Sequence, residues 1–291
     1  MRLVVGFPPG GPNDILARMI SRELSRRLGQ PIVVENLPGD SGNVATVQVA
    51  RAPADGYTLL LVGPANAINP SLSPNPNFDF MHSIALVAGI SREALVMLVH
   101  PAVPASTVPE FIAYAKARPG KLRMASTGRG SSPHLSGQLF MAMTGIDMAA
   151  IHYSGGGPAL KEIISGQAQV MFEPMSAAIE PVRSGKLRPL AVTTAERSEA
   201  LPNVPAMAES VAGYAVSAVT GIGVPKNTPA RIVDTLNRAV NATLADPEVK
   251  SRLAEMGGAA LSGSSAAFES IMASEIENWA KVVKVSGAKA D

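Results

Sequence analysis

The chain has no cysteine, which excludes thiol nucleophiles, disulfides and thiolate metal sites together. That absence does not fix a compartment, since an exported protein without disulfides is as compatible with it as a cytoplasmic one. Charge is sparse as well: 25 Lys plus Arg stand against 23 Asp plus Glu in 291 residues, with no dense run of either sign. Such a surface is poorly suited to a phosphate backbone or an anionic membrane, so no nucleic-acid partner is expected. Trp279 is the one tryptophan and offers no stacking platform. No apolar run reaches the roughly 20 residues of a membrane-spanning helix, and a soluble protein is expected. The four histidines, His82, His100, His134 and His152, share no ligand spacing, so no metal is expected. No cofactor is implied either.

What is present is apolar residue in quantity: 46% is enough for a sizeable core, and 291 residues exceed the usual size of one simple α/β domain, so two lobes or one large domain both fit. The 13 methionines are scattered and read as fillers of core gaps. Short β-rich runs alternate with amphipathic stretches, the pattern of an α/β protein with a mostly parallel sheet covered on both faces. Strands are predicted at Leu3 to Phe7, Pro31 to Glu35, Tyr57 to Val62, Leu95 to His100, Leu122 to Ser126, Ala149 to Tyr153, Gln169 to Glu173 and Leu187 to Thr193. A helix is predicted over Asp14 to Leu28, with Ile15, Leu16, Met19, Ile20 and Leu24 on its core face and Gly29 to end it. Thr107-Val-Pro-Glu110 reads as a capping box opening a helix to about Ala117. Further helices are predicted at Pro229 to Leu244, Pro247 to Met256 with Asp246 as cap, and Ala266 to Val283.

Two segments share one design, a strand running into a Gly/Pro loop that opens a helix: Arg2 to Asp14 and Lys121 to His134. If each heads its own sheet, there are two lobes, with loops at the carboxyl ends of strands where open α/β sheets bind ligands. Crossings are placed near His100-Pro101 and Thr220-Gly221, giving one lobe of residues 1–100 with 221–291 and a second of residues 101–220. Pro8-Pro9-Gly10-Gly11-Pro12 either leaves amides open to an anion, with Pro12 and Asp14 in the first helical turn, or only makes a tight turn. Ser126-Thr127-Gly128-Arg129-Gly130-Ser131-Ser132-Pro133 offers unpaired amides and hydroxyls, with Ser132 as cap and Pro133 at the first helical position, or is a plain turn. Pro133 stands where a dinucleotide fingerprint wants glycine, and Gly-Lys-Ser/Thr is missing, so nucleotide binding is disfavoured. Ser131, Ser132 and His134 resemble a nucleophile and base, but no Gly-x-Ser-x-Gly elbow surrounds either serine. Tyr153-Ser154-Gly155-Gly156-Gly157 is a third amide-rich turn or a flexible connection. Glu173, ending a strand, is either solvated or a carboxylate that receives an ammonium or hydroxyl of a ligand.

Taken together, Phe7-Pro-Pro-Gly-Gly-Pro-Asn-Asp14, Pro53-Ala-Asp-Gly-Tyr-Thr-Leu-Leu60 and Ser126-Thr-Gly-Arg-Gly-Ser131 resemble the solute receptors of tripartite tricarboxylate transporters, the Bug family. His152-Tyr-Ser-Gly-Gly-Gly-Pro-Ala-Leu160, Gly185-Lys-Leu-Arg-Pro-Leu-Ala-Val192 and Val224-Pro-Lys-Asn-Thr-Pro229 extend the resemblance over nearly the whole chain. The resemblance implies a two-lobed, periplasmic-binding-protein-like (Venus flytrap) fold. It implies an extracytoplasmic receptor, expected to be a monomer, that passes a small carboxylate solute to membrane permease components without chemistry on it. It also implies that the carboxylate is gripped from the first loop (Phe7, Pro9, Gly10, Gly11, Asp14) and the second (Thr127, Gly128, Gly130, Ser131, Ser132, His134). Ala65, Asn66, Tyr153, Gly155 and Glu173 would add contacts. Three features depart from the family pattern. Val219 stands where Trp is common, Pro64 removes an amide donor, and the strand-like start at Arg2 to Gly6 is unlike a signal peptide. A periplasmic address therefore rests on the resemblance. A ligand sensor serving a signalling system and a Ser/His hydrolase are the alternatives.

Overall fold

The computed structural model describes residues 1–73 and 78–288. The first part of the chain runs β1 (Arg2–Val5), α1 (Pro12–Leu28), β2 (Val33–Asn36), α2 (Asn43–Ala50), β3 (Thr58–Val62), α3 (Pro64–Leu72), α4 (Phe80–Ser83) and β4 (Ile84–Val99). It continues through α5 (Val108–Lys116), β5 (Arg123–Ser126), α6 (Ser132–Thr144), β6 (Ala149–His152), α7 (Gly156–Ile164), β7 (Val170–Pro174), α8 (Met175–Arg183) and β8 (Arg188–Val192). It closes with β9 (Ser217–Pro225), α9 (Ala230–Ala245), α10 (Pro247–Glu255), β10 (Gly258–Ala260) and α11 (Ser265–Ser286). This is an α/β protein, its strands and helices alternating along most of the chain.

Chain packing divides the molecule into two compact units, each with its own core. Unit 1 is Met1–Arg92 with Val219–Leu253 and Ala259–Ala280. Its strands lie in the order β2-β1-β3-β9-β4, with β10 also on β4. β1 runs parallel to β2 and β3, whereas β9 is antiparallel to β3, with Leu60 opposite Gly223. Leu3 to Val5 and Leu59 to Val62 are buried without alternation because helices cover both faces of a central parallel strand. Along α1 Leu16, Ile20 and Leu24 enter the core, but Ile15, expected on that face, is 47% exposed. Gly29 ends the helix in the left-handed conformation, as expected. In β9, a Cβ at Gly221 would lie 2.2 Å from the Phe268 ring of α11 and 2.5 Å from the Ala88 carbonyl, so glycine here permits close packing on both sides.

Unit 2 is Glu93–Ala218 with Ala254–Gly258 and the chain from Lys281. Its strands lie in the order β4-β7-β5-β6, with β8 also pairing β4. β5 is parallel to β6 and β7, and β4 is antiparallel to β7 and β8. Val96, Leu98, Ala125, Met171 and Val192 form the centre of its core with Ala159, Ile163 and Ala178 from the helices. The Thr107 hydroxyl accepts from Glu110 N at 3.3 Å, but the Glu110 carboxylate accepts from Ser106 N. The expected capping box thus closes one residue early. The chain first passes between the units inside two long strands, between Arg92 and Glu93 in β4 and between Ala218 and Val219 in β9, and later inside α10, β10 and α11. Neither β9 nor the stretch of β4 before Leu95 was among the predicted strands. Gly89, Ser91, Arg92 and Glu93 interrupt its apolar run, and pairing with neighbours holds it extended regardless.

Candidate functional site: amide-rich loops in each unit

In unit 1 the loop from Gly6 to Gly11 follows β1 and opens α1. Phe7 is half-buried, and Pro9 and Gly10 are exposed. Asp14 is buried and saturated. It accepts from Gly10 N (2.9 Å), Arg18 Nε (2.9 Å) and Asn36 Nδ2 (2.9 Å), and its second oxygen also meets the Arg18 guanidinium at 2.9 Å. Burial alone would raise its pKa, but these donors outweigh burial and hold it below the ordinary carboxylate value. Asp14 therefore shapes the loop, and the Gly10 amide expected to be open is spent inside it. Gly11 caps α1 without a side-chain hydrogen bond and Pro12 follows, leaving the first-turn amides of Asn13 and Asp14 as the helix's donors.

The turn after β3 repeats the arrangement. Gly63 precedes Pro64 at the first position of α3, where an amide would be unpaired in any case. The Asn66 side chain pins the turn: its oxygen accepts from Gly63 N (2.9 Å) and its nitrogen donates to Thr46 Oγ1 (2.8 Å). Asn66 thus positions the turn, and the Ala65 amide is the donor left over. Gly6, Phe7, Asn13, Gly42, Gly63 and Ala65 line one small cavity of this unit. A Cβ at Gly6 would lie 2.8 Å from Gly42 Cα. Just before Gly42, Asp40 and Ser41 hold left-handed backbone at φ 44° and 49°, a strain of the sort that collects at ligand loops. Asp40 to Gly42 and Thr46 had no place in the sequence-based site. Their one local signal is the pair of glycines, Gly39 and Gly42, that brackets the turn.

In unit 2 the carboxyl ends of three mutually parallel strands come to one edge of the sheet. Ser126 is level with His152, and the β5–β7 register, continued, sets Glu173 level with Thr127. The helix cap is Ser131 and not Ser132 as expected, and Pro133 falls at the second helical position. The Ser131 hydroxyl accepts from Thr127 Oγ1 (3.0 Å) and His134 N (3.3 Å) and donates to Gly128 O (2.7 Å). Gly128 N donates to Ser126 Oγ (3.3 Å) and Gly130 N to His134 Nδ1 (3.1 Å). The amides of Gly128 and Gly130, expected to be unpaired, are turned inward because positive φ at both glycines folds the loop onto its own side chains. The His134 ring therefore faces Gly130 N and Gln138, while Ser132 is buried. The expected couple of Ser131 or Ser132 with the His134 ring is not assembled; the Ser126 hydroxyl does lie 3.3 Å from His152 Nδ1, but Ser126 is fully buried. His134 stacks edge-on against His152, centroids 4.7 Å apart. Burial first, then His152 and Arg129, push its pKa down to about 4, so the ring is neutral at physiological pH.

The third turn opens α7. Tyr153 N donates to Ser126 O and its phenol to Glu162 at 3.3 Å, while Gly155, at φ 129°, caps the helix without a side chain. Gly156 and Gly157 then carry the first-turn amides, and Pro158 has none. Beneath this turn lies Glu173, 0% exposed, with no hydrogen-bond partner for either oxygen. Burial, then the charge of Glu93, push its pKa up to about 8. It is not the solvated strand terminus of one expectation. No group of three His, Cys, Asp or Glu suited to a metal exists among the described residues, and no described helix is long and apolar enough to cross a membrane.

Residues 16–288 match the model of the tripartite tricarboxylate transporter family receptor. The chain belongs to that family. BugT of Bordetella pertussis is 35% identical, over 99% of this chain and 90% of that protein. Among solved structures, Rpa4515 of R. palustris with adipate is 35% identical at a TM-score of 0.95, covering 99% of this chain and 97% of that one. MatC of Rhodopseudomonas palustris with bound malate is 30% identical at a TM-score of 0.89, covering 97% of this chain and 98% of that one. Members of this receptor family are periplasmic solute-binding proteins, so this chain is a solute-binding receptor by descent.

Proposed function

We propose that this receptor captures a small dicarboxylate in the periplasm, as a monomer, and delivers it unchanged to the membrane permease components of a tripartite transporter. The observation that carries the reading is the uncapped start of α1 and of α7, one in each unit, each behind a glycine-rich turn. Unsatisfied first-turn amides at the positive end of a helix dipole are suited to a carboxylate oxygen. Adipate and malate on two relatives of at least 30% identity point to the same ligand class. In unit 1 the donor amides are those of Asn13, Asp14 and Ala65, with Phe7, Pro9 and Gly11 beside them; in unit 2 they are those of Gly156 and Gly157, with Thr127, Tyr153 and Gly155 beside them. Asp14, Asn66, Ser131 and His134 hold the loops in shape. Each hydrogen bond to a charged group contributes about 1.5 to 3 kcal/mol, and micromolar affinity needs roughly 8 kcal/mol. Three to five such bonds are therefore required, more than one turn supplies.

Titration calorimetry with adipate and malate tests the reading. Binding at micromolar affinity or tighter by at least one of them is expected, with no binding of the corresponding dimethyl esters, which lack the anionic oxygens. Equal affinity for diacid and diester, or binding of neither diacid, would sink it. Turnover is not expected, because the His134 ring is engaged with Gly130 and Gln138 and not with a serine hydroxyl.

A further inference from the structure

Glu173 is the one buried carboxylate among the described residues whose two oxygens both lack a partner. It sits where a charge is hard to keep. From β4, Glu93 brings a second carboxylate, half-buried and accepting from Ser176 N at the start of α8 at 3.2 Å. Glu93 is the charged group that bears on Glu173. From α7 comes only backbone: a Cβ on Gly156 would lie 2.7 Å from Glu173 Oε1, so the carboxyl is pressed against the first turn of that helix. From α8 comes Ser176, whose amide and hydroxyl both bear on the Glu93 carboxylate. The titratable side chains of α7 and α8, Lys161, Glu162, Glu180 and Arg183, lie more than a turn beyond these contacts. Arg123 is at the far end of β5, and His134 on α6 is uncharged at neutral pH.

An ionised Glu173 in this position needs hydrogen-bond donors, and its Oε1 is pressed against the first turn of α7, whose amides lack helical partners. It would claim the donors proposed for the ligand and repel the incoming anion. A neutral Glu173 leaves them free. We propose that Glu173, coupled to Glu93, is a positioning residue that makes anion capture at the α7 turn proton-linked: the anion is held while Glu173 carries its proton and excluded once it is lost. This rests on the dicarboxylate reading and adds to it a protonation requirement that neither the family match nor the bound adipate and malate imply.

The experiment is titration calorimetry of the full chain with adipate and malate from pH 6 to 9.5, repeated in buffers of different ionisation enthalpy. Affinity should be level at low pH and fall by about tenfold per pH unit above about 8, with proton uptake on binding in that range. Glu173→Gln, which cannot ionise, should bind with a flat profile. Glu93→Gln removes the like charge, so its affinity should begin to fall at lower pH than the wild type. Should the Glu173→Gln variant fail to fold, the direction of the Glu93→Gln displacement decides. Tight binding whose pH profile is flat in the wild type, or unchanged in slope by Glu173→Gln, overturns the inference alone. Binding of neither diacid at any pH overturns the proposed function and the inference with it.

Discussion

Acid should destabilise unit 2 through a single imidazole. His134 is buried against His152, accepts a hydrogen bond from Gly130 N through Nδ1, and has its pKa pushed from 6.5 to about 4. Above pH 6.5 both folded and unfolded chains hold the ring neutral, and it contributes nothing to the pH dependence. As pH falls from 6.5 towards 4 the unfolded chain takes up a proton that the folded unit refuses, so stability is lost through that window. At 1.36 kcal/mol per pH unit the displacement amounts to about 3 kcal/mol at pH 4, a large part of the net stability of a domain. His134→Gln removes the titration and retains an acceptor for Gly130 N. Its own packing cost is the same at every pH and so appears only as an offset. Urea unfolding of both proteins at pH 7.5, 6.5, 5.5 and 4.5, followed by circular dichroism, should show the wild type losing about 2 to 3 kcal/mol more than the variant across the series. Two parallel lines would refute the reasoning, since the ring would then not be held neutral by burial.

Asp14→Asn should weaken adipate or malate binding by about tenfold and cost about 1 to 3 kcal/mol of unit 1 stability, because bonds to Gly10 and Asn36 lose their charge assistance; calorimetry and urea unfolding read the two effects. Gly221→Ala should cost about 1 to 3 kcal/mol by overpacking against Phe268 and the Ala88 carbonyl. Urea unfolding at neutral pH checks it, and an unchanged midpoint would contradict the packing. Ser131→Ala removes the cap on His134 N and the anchor of Thr127, so a loss of about 1 kcal/mol is expected together with weaker diacid binding. Esterase assays should show no activity to lose in that variant.

Much of the fold was legible because its signals are local. The Gly29 terminator, the Asp246 cap, which accepts from Glu248 N at 3.0 Å, and eight of the strands follow from residues a few positions apart. The loops were legible for the same reason: a strand, glycines and proline, then a helix start. Ile15 and the early part of β4 were not, since which flank of a helix is covered, and whether an interrupted run stays extended, depend on partners distant in the chain. Ser132 was misplaced as the cap because Ser131 and Ser132 are equivalent by local chemistry, and only the bonds to Thr127 and Gly128 select the first.

By itself the sequence determined the fold class, the family and the places where backbone amides gather, because those depend on residue type and spacing along the chain. Only the tertiary structure decided which amides remain available. Asp14, Asn66 and His134 are polar residues that the sequence presents as ligand contacts, and in the structure each also makes hydrogen bonds that hold its turn in shape. Glu173 is the converse: one acidic residue ending a strand in the sequence, it becomes a carboxyl without a partner, since the glycine at position 156 and the charge at Glu93 meet it through space. Hydrogen-bond satisfaction and desolvation are properties of surroundings assembled from several strands and helices, and no local pattern of residues encodes them.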